Sequence, residues 1–142
     1  MMTLTRNRSK LIKLIWVAST LLVLLIAFFV TISNNRKNIE QRRQRIMSSP
    51  SFTSGFIEDL EHGKGKTTTG VYKFEVEGVV LTGKIGDGRL DKIRRMLFER
   101  SFPVIYNSKD PEINAILIFP SDFAWLNIPF PDSLNWVKEA VE

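Results

Sequence analysis

FPVIYNSKDPEINAILIF, residues 102–119, sets two apolar runs on either side of a polar knot, and how that knot is read decides the fold. Phe102 to Tyr106 and Ile113 to Phe119 are rich in the β-branched and aromatic residues that suit strands. The six residues between them, NSKDPE, are turn formers: Asn107 and Ser108 can bond the nearby backbone, and Pro111 fixes φ and moves Asp110 out of the helical region. A site for catalysis would need a nucleophile beside a base, or two facing carboxylates. Ser108 has no histidine nearby and Asp110 sits two residues from Glu112, so the knot reads as the loop of a β-hairpin.

Upstream, Tyr72, Phe74 and Val76 alternate with Lys73, Glu75 and Glu77, the pattern of a strand with one buried face. Glu77-Gly78 fits a tight turn, and Val79 to Ile85 returns as a partner strand in which Gly83 marks a bulge or a close approach. Between the two hairpins, RLDKIRRMLFER (residues 89–100) places Leu90, Ile93 and Leu97 on one face of a short amphipathic helix, with Asp87 and Asp91 as capping residues. The tail carries Phe123, Trp125, Phe130 and Trp136 among three prolines, and Pro131-Asp132-Ser133 starts a C-terminal helix with Leu134, Val137 and Val141 on one face. Those four aromatics are either the cap of a thin core or a candidate interaction surface.

The stretch FPVIYNSKDPEINAILI resembles the Tyr-x-Pro-x-Asn-Pro signature, followed by an apolar strand, of uncharacterised bacterial membrane proteins that combine one span with a small β-rich domain. Ser108 stands where that signature has its first proline, and Asp110 replaces its asparagine. The resemblance covers about Gly70 to Phe119 and implies a membrane setting in a bacterial inner membrane, without implying an activity.

The N-terminal part supports that setting independently. Leu14 to Ile32, LIWVASTLLVLLIAFFVTI, carries no polar side chain except the hydroxyls of Ser19, Thr20 and Thr31, and as a helix it spans about 29 Å, close to the hydrocarbon core of a bilayer. A core helix would be polar on one side. A cleaved signal would have a shorter apolar region and small residues where this run ends in Phe28, Phe29, Val30 and Ile32. Four basic residues precede the run and five follow it, so charge counting gives only a slight lean to an extracytoplasmic C-terminal part. Residues 33–47 contain helix formers and no Gly or Pro, and read as a charged, solvated helical stem; Ile32, Ile39 and Ile46 are seven apart, but the complementary positions are Asn35 and Arg42, so they make only half a coiled-coil seam.

The formal charge of +5 is concentrated beside the apolar run. From Met47 onward there are eleven basic and fourteen acidic side chains, a net −3, which removes the main support for nucleic-acid binding and assigns the flanking cations to lipid phosphates. The absence of cysteine excludes disulfides and thiolate metal sites. Residues 48–69 turn to Ser, Gly, Thr and Lys and read as a linker. GKGKTTTG within it imitates the end of a phosphate loop, yet Leu60 stands where the first glycine of that motif belongs. His62 is the only histidine, and no metal-ligand spacing surrounds it.

The expected organisation is therefore a basic tail (1–13), a single transmembrane helix (14–32), the stem (33–47), the linker (48–69) and a small α+β domain (70–142) of two β-hairpins, one short helix between them and a C-terminal helix. The expected role is a single-pass, membrane-anchored, non-catalytic interaction or structural module without a cofactor. Its partners are the lipid bilayer and another membrane or envelope protein, with no nucleic acid and no evident small-molecule substrate. The alternative is a membrane-anchored hydrolase using only carboxylates, drawn from Glu75, Glu77, Asp87, Asp91, Asp110 and Asp122.

Overall fold

The computed structural model describes residues 3–62 and 67–141. Helix α1 runs from Thr3 to Met47, so the basic tail is helical from Thr3 and the stem does extend to Met47. The apolar stretch that begins at Trp16 is long and apolar enough to cross a membrane and is unburied, which fits a membrane anchor or a signal sequence. Within it the hydroxyls of Ser19, Thr20 and Thr31 donate to helix carbonyls three or four residues back, so none is left without an acceptor.

Two compact units divide the chain, one ending at Gln41 and one beginning at Arg42. The second unit thus takes in the last turn of α1, followed by β1 (Pro50–His62), β2 (Thr68–Val76) and β3 (Val79–Gly86). A 3₁₀ turn (Gly88–Asp91) and the single turn α2 (Arg94–Leu97) lead to β4 (Ser101–Asn107) and β5 (Asp110–Ile116). The chain closes with α3 (Pro120–Trp125), a second 3₁₀ turn (Asp132–Leu134) and α4 (Asn135–Val141).

The strands form one five-stranded antiparallel sheet in the order β3-β2-β1-β4-β5. Both expected hairpins are present, but they are not the whole sheet, because β1 lies between them and pairs with β2 on one side and β4 on the other. The sheet rolls until its edges β3 and β5 come within 8 Å of each other, Cα to Cα, without a hydrogen-bonded ladder between them. This connectivity, with its helical link between β3 and β4, is that of a partly open five-stranded barrel of the OB type. Leu90, from that link, is fully buried and its side chain reaches Gly70. The link therefore plugs the barrel.

The reading of residues 48–69 as a linker is overturned by β1, the longest strand and the centre of the sheet. Its disguise has two physical causes. A bulge between Ile57 and Asp59 puts Ile57 and Leu60, three apart, both into the core, which breaks the period of two. Gly55 looks like a linker residue, yet a Cβ there would lie 2.6 Å from Val104 Cγ2 and 2.8 Å from the Lys73 carbonyl oxygen, so this crowded position admits only glycine. The GKGK stretch at 63–66 lies outside the described residues.

The solvated stem also needs correction at its end. Ile46 is 0% exposed and belongs to the core of the second unit, whereas Ile39 is 53% exposed. Asn107 explains the burial of that turn: its Nδ2 donates to the carbonyl of Arg45 at 2.5 Å and to Ser48 Oγ at 3.1 Å, while the Ser108 N–H donates to the Ser49 carbonyl at 2.8 Å. The polar knot holds a turn, as expected, but only Ser108 and Lys109 lie between the strands because β5 already starts at Asp110. Asn107 Oδ1 accepts from the Lys109 N–H at 2.8 Å, and the knot is also a clasp on the end of α1. The second strand of that hairpin ends at Ile116, earlier than expected, and Leu117, Ile118 and Phe119 are buried as the chain leaves the sheet for α3, a helix that the sequence reading did not anticipate.

Candidate functional site at the open barrel seam

The alternation of β2 turns Tyr72 inward, where it is 0% exposed. Opposite it on β3, a Cβ on Gly83 would lie 2.2 Å from Tyr72 Cζ. Gly83 is therefore a point of close approach and not a bulge, since the β2–β3 register is unbroken. The Tyr72 hydroxyl donates to Asn114 Oδ1 at 2.6 Å. Asn114 Nδ2 donates to the carbonyls of Pro111 and Glu112, both at 2.9 Å, tying together the register irregularity of β5. The main-chain oxygen of Asn114 accepts from Arg42 Nη2 at 2.6 Å. Burial pushes the Tyr72 phenol up to about 12, while the charge of Arg42 and the N–H of Ile116 pull the other way. At neutral pH the ring is an uncharged brace between the barrel wall and the end of α1.

Beside this brace the seam opens into a cavity of about 180 Å³ whose lining includes Arg42, Lys84, Asp122, Tyr72 and Trp125. Asp122 Oδ2 accepts from the N–H groups of Ile118, at 3.0 Å, and Phe119, at 2.8 Å. Burial raises its carboxyl above the usual range, opposed by those two N–H bonds and by the charge of Arg89. Trp125 keeps its indole Nε1 buried with no hydrogen-bond partner among the described residues. A second cavity, about 310 Å³ and more apolar, lies between the first part of β3 and that of β5, lined by Val76, Glu77, Val79, Leu81, Pro111 and Glu112.

The carboxylates considered for catalysis are dispersed. Glu75, Glu77 and Asp110 are exposed. Asp91 accepts from Thr68 Oγ1 at 2.5 Å and lies 3.9 Å from His62 Nε2. Asp87 caps the first 3₁₀ turn as expected and pairs with Arg89 at 2.6 Å; burial raises its carboxyl, but the hydrogen bonds and charge of Arg89 outweigh this and hold it below its ordinary value. Arg89 also donates to Ser121 Oγ at 2.9 Å and stacks 4.0 Å from the Phe119 ring centre. Among the described residues no three His, Asp or Glu side chains gather as a metal site.

The four C-terminal aromatics do not form one surface. Phe123 is buried, which removes it from the candidate interaction surface, and Phe130 meets it edge-on at 5.2 Å and 86°. Trp136 lies 6.3 Å from Phe102 under the guanidinium of Arg100, and Trp125 lines the cavity. Sequence reasoning missed Arg42, Tyr72 and Asn114 as a group. The available signal was Asn114 itself, a lone amide inside the apolar run INAILIF, because a buried amide demands partners. Comparison with protein-family models, with curated proteins and with solved structures finds no match to this chain.

Proposed function

We propose that the protein is a single-pass, membrane-anchored, non-catalytic binding module. In this reading α1 is held by the bilayer and the barrel offers its open seam to another membrane or envelope protein. The observation that carries the reading is the pair of facing strand edges, β3 and β5, which approach without pairing and leave two cavities between them. On the β3 edge, main-chain groups that no ladder from β5 engages lie beside side-chain pockets, a combination on which a partner segment can dock. The separated and individually bonded carboxylates favour this reading over the hydrolase alternative. Barrel type alone carries no function.

The test uses the full chain in its own membranes. Photo-crosslinking groups at Val79 and Thr82, on β3, are expected to trap a discrete membrane protein that a group at Phe56, on the exposed face of β1, does not. The chain itself should resist carbonate extraction at full length. Release of a shortened chain would show the apolar run to be a signal sequence, and equal trapping from all three positions would remove the seam from consideration.

A further inference from the structure

We infer that the polar cavity at the β3–β5 seam is a binding site for a short-chain monocarboxylate. The inference rests on the binding reading of the seam but not on the identity of the protein partner. Three features of the lining define the ligand. Among the described residues Arg42 donates to the Asn114 carbonyl, through Nη2, and a guanidinium carries further N–H donors suited to a carboxylate. Trp125 contributes a buried indole N–H that has no acceptor among the described residues, an arrangement that costs free energy unless something entering the cavity accepts from it. Both demands are met by oxygen acceptors on a ligand.

Charge then selects among anions. Lys84 is already paired with Glu61 at 3.1 Å, and Asp122 in the same lining disfavours a dianion, so Arg42 provides for one negative charge. The remaining walls include Ile85, Ala115 and Leu117, which suit a short alkyl chain better than the hydration shell of an inorganic ion. The volume, about 180 Å³, is well above the roughly 10–15 Å³ that a single water requires.

The experiment follows the indole N–H signals of the full chain, labelled with ¹⁵N-tryptophan, in detergent micelles. Sodium butyrate is titrated at constant ionic strength against sodium chloride, with sodium phosphate as a third arm. Trp125→Phe assigns the Trp125 signal, and Trp16 and Trp136 are internal references. Butyrate is expected to move the Trp125 signal saturably and leave Trp16 and Trp136 in place. Arg42→Gln should weaken the apparent affinity about tenfold, the loss of one charge-assisted hydrogen bond. Because Arg42 also holds the Asn114 carbonyl, Lys84→Glu serves as a second variant: it removes only the exposed ion pair with Glu61 and none of the buried bonds, and it should also weaken butyrate binding. A Trp125 signal that butyrate does not move, that moves linearly together with Trp16, that is unaffected by both substitutions, or that phosphate moves at equal concentration would overturn the assignment. Such a failure beside positive β3 crosslinks would leave the protein-binding reading standing, which separates the two proposals.

Discussion

Replacing Tyr72 with phenylalanine removes one oxygen from the centre of the brace, and the structure sets both the size and the pH dependence of the effect. The lost hydrogen bond leaves Asn114 Oδ1 buried without a donor. Turning the amide over does not repair it, because Nδ2 is committed to the Pro111 and Glu112 carbonyls. An unsatisfied buried acceptor costs about 1–3 kcal/mol, so the variant should be less stable by that amount at pH 8. Alkali then narrows the difference. The phenol titrates near 10.0 when unfolded and at about 12 in the folded protein, so between those values the native state holds the proton more tightly. Its contribution to stability is fully present below pH 10 and is lost as pH rises through 12. At 1.36 kcal/mol per unit, that is a loss of about 2–3 kcal/mol, and the Tyr72→Phe variant, with no phenol to titrate, does not suffer it. Urea unfolding of both proteins in micelles, followed by tryptophan fluorescence from pH 8 to 12, gives the difference directly, and subtraction cancels what lysines, arginines and Tyr106 do in both. The stability gap should close to about zero by pH 12. A gap that stays constant across this range would show that the hydroxyl is not buried and neutral as described.

Three further pairs of substitutions, each a test with its control, probe the packing that holds the seam. Gly83→Ala drives a methyl into the fixed Tyr72 ring and should cost about 1–3 kcal/mol or more, whereas Gly86→Ala, whose Cβ would meet only Thr67 Cγ2 at 3.8 Å, should stay within about 0.5 kcal/mol in the same urea assay. Ile46→Ala should cost about 2–5 kcal/mol and Ile39→Ala almost nothing; equal effects would mean that the end of α1 is not part of the core. Asn107→Ala removes the bonds to Arg45, Ser48 and Lys109 and should lower the thermal midpoint measurably, with a stability loss of about 1–2 kcal/mol, while Asp110→Asn in the same hairpin leaves it nearly unchanged.

Legibility in the sequence followed the range of the interaction. The β2–β3 hairpin was readable because its strands alternate cleanly and its turn, Glu77-Gly78, adopts positive φ at both residues, 52° and 82°, as such hairpins require. The buried face of the C-terminal segment was readable for the same reason, with Leu134 in the second 3₁₀ turn and Val137 in α4 three apart. β1 was not, because its bulge shifts the buried face partway along and its glycine is explained only by Val104 and Lys73, from two other strands. Ile46 was hidden too, since a lone isoleucine in a charged helix gains its core position from Asn107, far along the chain. The cavity was the least legible part: Arg42, Lys84 and Trp125 come from three elements with no local pattern linking them, and only the isolated Asn114 advertised a buried polar group.

The same side chains that brace the barrel also account for its being open. Closing the seam would need β5 to present main-chain acceptors to β3 in an ordered ladder. Three main-chain acceptors in this part of β5 are engaged elsewhere, Pro111 and Glu112 by Asn114 Nδ2 and Asn114 by Arg42. Pro111 has no N–H to offer in exchange, and the residues between Asp110 and Asn114 are skipped by the β4 register, so this part of β5 has the wrong course for a regular neighbour. On the β3 side, Gly83 brings the main chain down onto the Tyr72 ring, and that ring in turn holds Asn114. Closing the seam would therefore mean dismantling buried hydrogen bonds worth about 0.5–1.5 kcal/mol each, with the larger cost of leaving their donors unsatisfied. The gap is a stable feature of the folded barrel, and the donors around its polar end, fixed by the core itself, are preorganised for whatever fills it.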